Sequence, residues 1–132
     1  MSYAKQMIDA DPRPSVEAGR LAATIDALSD CAQACTADSA ADLSDPNLAE
    51  MVECIRLCLD CADVCAAALS VLSRRRPHDV DVTLLVEACA AVCNSCAQEC
   101  ERHAKMHEHC RVCGEACRRC EQACREYLDI AK

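Results

Sequence analysis

A chain of 132 residues has material for one core but not two. Its hydrophobic share is 52%, yet Phe and Trp are absent and Tyr occurs only twice, so Ala and Cys supply much of the apolar count. The net charge of -8 and the lack of a basic patch interleaved with aromatics exclude nucleic acid as a partner.

Residues 1–14 read as an N-terminal arm, ending at Pro12 and Pro14, with one helical turn around Tyr3–Ile8. It shows no apolar h-region, twin arginine or lipidation signal. No stretch approaches the roughly 20 apolar residues of a membrane span. A cytoplasmic chain is expected, in a compartment that keeps thiols reduced.

Residues 15–132 read as four helices. The first is predicted from an N-cap at Ser15 to about Asp42. Asp45-Pro46 supplies N-cap and first turn for the second, which runs to about Arg75 and stops at Arg74-Arg75-Arg76-Pro77. A third is predicted over Asp79–Lys105 and a fourth over His107–Ile130, with no Gly or Pro marking the boundary between them. Gly114, inside the fourth, either permits close backbone approach or costs helix stability. Such short connections predict an all-α fold, an antiparallel up-down four-helix bundle.

Fifteen cysteines follow one rule along these helices. Cys31 and Cys35 lie on the first; Cys54, Cys58, Cys61 and Cys65 on the second; Cys89, Cys93, Cys96 and Cys100 on the third. Cys110, Cys113, Cys117, Cys120 and Cys124 lie on the fourth. Steps of four and three residues keep each run inside a stripe roughly 60° wide, the seam that Leu and Ile normally fill. Thiols at i,i+3 and i,i+4 of one helix have nearly parallel Cβ vectors, poor geometry for a disulfide, and an odd count leaves one unpaired. In a reducing compartment the pattern points to metal.

Extended beyond the cysteines, the seams distinguish two ends. Leu21, Ile25, Leu28, Leu72, Val82, Leu85 and Leu128 form an apolar plug at one. Asp38, Asp42, Met51, His103, Met106, His107 and His109 gather with Cys110 at the other. His103, His107 and Met51 are read as soft or borderline ligands where metal enters, and His109 as a mouth residue behind them. Asp38 and Asp42 occupy seam positions but are hard ligands, expected to hydrate the mouth and attract cations.

Thiolate is a soft ligand that suits Cu(I), zinc and iron–sulfur clusters. Structural zinc takes closed tetrahedra, usually from CxxC knuckles on loops, and clusters also take four Cys from loops. Long stripes on rigid helices suit Cu(I), which accepts two or three bridging thiolates. One Cu⁺ per thiolate also adds no net charge to a buried interior. The expected cargo is therefore multiple Cu(I) ions. CxxxCxxC at Cys54-Cys58-Cys61 and Cys89-Cys93-Cys96 also matches a radical-SAM string, but here it continues for another helical turn. A redox or metal-sensing protein that holds zinc or iron–sulfur is the competing class. No catalytic acid–base set is visible, so an enzyme is not expected.

Cys54-Ile55-Arg56-Leu57-Cys58-Leu59-Asp60-Cys61-Ala62 and the run RHAKMHEHCRVCGEACRRCEQACR over Arg102–Arg125, within residues 28–125, resemble the bacterial copper storage protein family. The resemblance implies a four-helix bundle that fills with Cu(I), a homotetramer, and a cytosolic location for members without a signal sequence. As partners, the copper ions themselves and a copper chaperone or chelator that exchanges them are expected. Family members often continue their cysteines through helix one, where this chain has Leu28, Asp38 and Asp42, a departure that lowers capacity near the mouth.

Overall fold

A computed structural model describes residues 2–13, 17–74 and 79–131. Among the described residues lie five helices: α1 Tyr3–Ala10, α2 Ala18–Asp42, α3 Leu48–Ser73, α4 Val80–His103 and α5 Glu108–Ala131. The described residues contain no strand. The arm thus carries two helical turns where one was expected. The Ser2 hydroxyl caps α1 by accepting from the Lys5 amide at 3.4 Å, Lys5 pairs with Asp9 at 2.7 Å, and Ile8 is buried against α2.

The predicted cap at Ser15 lies outside the described residues. α2 starts after Glu17, which takes a left-handed conformation with φ 63° and offers no side-chain cap. Asp45 does not cap α3. Its carboxylate accepts from the Asn47 amide at 2.7 Å, making a turn of its own, so the helix begins at Leu48. Arg74 closes that helix, and the rest of the basic stop lies outside the described residues. Asp79 does cap α4, accepting from the Asp81 amide at 2.8 Å. The unmarked α4–α5 boundary is a turn through Ala104–Met106, held by the amides of Met106 and His107 donating to the His103 carbonyl at 3.1 and 3.0 Å. Met106 is 83% exposed on this turn and does not join the seam.

The four long helices contact one another in a closed ring, α2 on α3, α3 on α4, α4 on α5 and α5 on α2. Arg20–Glu126 and Arg119–Asp30 tie α2 to α5 outside the ring, and Arg118–Glu101 ties α4 to α5. Such exposed pairs contribute up to about 1 kcal/mol each. A Cβ added at Gly114 would meet Cys100 Cβ at 3.4 Å, ordinary van der Waals contact, so α5 lies close to α4 without requiring a glycine.

α4 corrects one expectation. By length and composition it could cross a membrane, having an 18-residue window of mean hydropathy 1.5. Here its Cys89, Cys93, Cys96 and Cys100 are buried inside the ring.

Beyond the last sulfurs the buried seam continues as Leu28, Ile25 and Leu21 on α2, Ala68 and Leu72 on α3, Val86 and Val82 on α4, and Tyr127 on α5. Leu85 and Leu128, expected in this plug, are only partly buried, and Val86 and Tyr127 take their places. The apolar plug and the Ala-rich seam form a core with no need of metal. The reduced, metal-free chain is therefore expected to show a fully helical circular dichroism spectrum. A random coil that becomes helical only with copper would contradict this.

Candidate metal centre

All fifteen cysteines are free thiols, and all are buried. The nearest sulfurs lie 3.5–3.9 Å apart, far beyond a disulfide bond of about 2.05 Å. Starting next to the plug, Cys89, Cys120 and Cys124 form a group whose sulfurs all lie within 4.8 Å of one another. Cys31, Cys65, Cys93 and Cys120 form another on the same criterion, followed by Cys31, Cys35, Cys61 and Cys117, then Cys35, Cys58, Cys96 and Cys113. Adjacent groups share members: Cys120, then Cys31, then Cys35. The result is a continuous ladder of sulfur in which one thiolate can serve two neighbouring ions.

Toward the other end oxygen enters the ladder. Asp38 joins Cys58, Cys100 and Cys113 in a further group. It is only 2% exposed, and its Oδ2 accepts from the thiols of Cys58 at 3.4 Å, Cys100 at 3.6 Å and Cys54 at 3.8 Å. The expectation that Asp38 hydrates the mouth fails, because cysteines of three other helices enclose it. Asp42 is fully buried too. Its Oδ1 accepts from Cys110 at 3.7 Å while its Oδ2 has no hydrogen-bond partner among the described residues.

Burial raises both carboxyls. Asp42 is pushed up to about 8, with the neighbouring Cys54 and Asp38 adding to the effect of burial. Asp38 moves in the same direction, the His109 contact opposing the shift. Burial, reinforced by Asp38, also raises the Cys110 thiol. Between pH 4 and 8 the folded chain thus holds a proton on Asp42 that the unfolded chain has released. Stability of the metal-free protein therefore falls as pH rises through that window. Asp42→Asn, which is neutral throughout, is expected to raise the urea midpoint at pH 8 and to change it little at pH 4. A drop at pH 8 would show that the Asp42 carboxylate stabilises the fold.

The imidazoles divide differently from the expectation. His103 Nε2 lies 2.9 Å from Glu99 Oε2, and His107 Nδ1 lies 3.3 Å from Asp45 Oδ2. Their rings stand 6.2 Å apart, and His107 and His109 stand 5.5 Å apart. His109 Nδ1 reaches furthest into the ladder, 2.5 Å from Asp38 Oδ1 and 3.6 Å from Cys110 Sγ. Met51 is buried with 1% exposure. Glu99, buried and holding both His103 and Arg102, was not anticipated, although its i,i+4 spacing to His103 on one helix is visible in the sequence.

A helical ring enclosing a ladder of soft ligands defines a thiol-lined metal-binding protein. The chain belongs to the copper storage protein family, whose family model matches residues 17–129. It is similar to the copper storage protein Ccsp from Streptomyces lividans loaded with 10 copper equivalents, at 47% identity over 96% of this chain and 98% of that one, with a TM-score of 0.91. A cytosolic copper storage protein from the same organism, carrying five coppers, is 53% identical over 84% of this chain and 93% of that one, with a TM-score of 0.81. A histidine-to-alanine mutant of Ccsp matches at 49% identity over 90% of this chain and all of the other, with a TM-score of 0.85. Among curated proteins no relative matches.

Proposed function

We propose that this chain stores and buffers Cu(I) in the cytoplasm, holding many ions through thiolates inside an antiparallel up-down four-helix bundle. The observation that carries this reading is the sharing of sulfurs between adjacent groups, which suits bridging thiolates of Cu(I) and not separate tetrahedra. Membership of the copper storage family and likeness to copper-loaded Ccsp support the same cargo. The ligands are Cys31, Cys35, Cys54, Cys58, Cys61, Cys65, Cys89, Cys93, Cys96, Cys100, Cys110, Cys113, Cys117, Cys120 and Cys124, with His103, His107 and Met51 serving the mouth.

Support for the antiparallel sense comes from side-chain contacts: Cys31 meets Cys61, whereas Asp38, further along α2, meets Cys58 and Cys54, earlier on α3. Residues 15–132 form the storage domain, with residues 1–14 an arm outside it. The chain acts as a store and not as an enzyme, exchanging ions with a copper chaperone or chelator. A homotetramer suits the apolar side chains left exposed on α3 (Leu48, Val52, Leu59) and α4 (Val80, Leu84). Anaerobic titration of the reduced chain with Cu(I), read by native mass spectrometry, tests the storage reading. Uptake of many ions by a folded chain supports it, and failure to retain Cu(I) against a competing chelator overturns it.

A further inference from the structure

The mouth carries a ligand set of a different chemical kind from the sulfur ladder. Asp38 Oδ1, Asp42 Oδ1, His109 Nδ1 and Cys110 Sγ face one another across the α2–α5 contact. His109 Nδ1 lies 3.3 Å from Asp42 Oδ1 and 3.6 Å from Cys110 Sγ. Cys110 Sγ lies 3.7 Å from both Asp38 Oδ1 and Asp42 Oδ1. A tetrahedral zinc ion with the usual bond lengths to oxygen, nitrogen and sulfur spaces its ligands by about 3.3–3.7 Å. Those four separations fall in that range. Of the remaining two edges, the one between His109 Nδ1 and Asp38 Oδ1, 2.5 Å, is a hydrogen bond that a bound ion replaces.

A second observation points to a ligand. Asp42 is completely buried, yet its Oδ2 has no hydrogen-bond partner among the described residues, and such an oxygen is costly to leave unmatched. Charge discriminates between occupants. Two carboxylates and a thiolate carry three negative charges, so a divalent ion leaves one uncompensated where Cu⁺ leaves two. Ligand preference agrees: two hard oxygens, a borderline imidazole and one thiolate suit zinc better than Cu(I).

We propose that Asp38, Asp42, His109 and Cys110 form a mononuclear site for a divalent cation of the zinc class, at the mouth of the copper store and separate in chemistry from it. The site borrows Cys110 from the ladder, so its occupant withholds one storage thiol.

Cobalt(II) is the probe, because its visible spectrum reports both geometry and the number of thiolates bound. The reduced, metal-free full chain is titrated anaerobically, and Zn(II) is then added as competitor. The first equivalent of Co(II) is expected to give tetrahedral d–d bands with the charge-transfer intensity of a single thiolate, and Zn(II) to displace it. Cys110→Ser is expected to abolish that charge-transfer band while keeping the d–d bands. Asp38→Asn combined with Asp42→Asn is expected to weaken the first equivalent at least about a hundredfold, since loss of outer-shell partners alone costs 10–100-fold. Should that pair prove unfolded by circular dichroism, His109→Ala, at a partly exposed position, is read in its place with the same expectation. A first equivalent with four-thiolate intensity, or one whose affinity survives these substitutions, overturns the site. Cu(I) capacity is measured separately, so the storage reading stands or falls on its own.

Discussion

Reduced protein titrated with Cu(I) is expected to saturate close to one ion per cysteine, about fifteen per chain. Four-coordinate ions cannot reach that number. Fifteen thiols divided into separate sets of four fill three tetrahedra with three thiols over, and the sharing of Cys31 and Cys35 between neighbouring groups limits them further. Two- and three-coordinate Cu(I) has no such limit, because each thiolate bridges and the groups already overlap. Charge gives the same count. A buried ladder that gains one Cu⁺ for each proton released stays neutral from first ion to last, whereas zinc in S₄ sites accumulates two negative charges per ion. Native mass spectrometry along the titration reads the number directly. Saturation near three or four ions would indicate discrete tetrahedral or cluster sites and remove the storage reading.

The sulfur ladder was legible because cysteine kept the helical repeat without exception. Stepping the same repeat back from Cys89 gives Val86 and then Val82, both buried. Leu85, which the sequence suggests for the plug, lies one position off that register and is only partly buried. Helix starts were harder, since a carboxylate ahead of a proline can cap a helix or close its own turn. Asp45 does the latter. At the mouth, register was readable and environment was not. Asp38 and Asp42 sit on the seam as the 4-3-4 steps from Cys31 require, but their burial is produced by α3, α4 and α5, which no local pattern in α2 encodes. His109 precedes a seam position by one residue and so ranked behind His103 and His107. The approach of α5 to α2 brings its Nδ1 to Asp38, whereas His103 is engaged by Glu99 and His107 by Asp45.

Copper is expected to load through the Asp38, Met51 and His109 end, and replacing Met51 and His109 together by Ala should slow uptake at least about tenfold. The opposite end is closed by Leu28, Leu72, Val86 and Tyr127, with side chains that offer no soft ligand and exclude the water an ion would carry. At the mouth a soft thioether lies buried at Met51, and an imidazole stands 3.6 Å from the Cys110 sulfur. A Cu⁺ ion arriving from a chelator can thus exchange one ligand at a time and is never stripped bare. Rate and capacity should separate in this variant, because neither substitution removes a thiol from the ladder. The final Cu(I) count then falls by no more than the ions that Met51 and His109 themselves help to hold. Stopped-flow mixing of the reduced protein with a coloured Cu(I) chelator complex reads the rate, and the end point of the same trace reads the count. Leu72→Ser is the opposing control, since it wets the plug without touching the mouth. If it accelerates loading while the Met51 and His109 variant loads at the unmodified rate, copper enters through the leucine end instead.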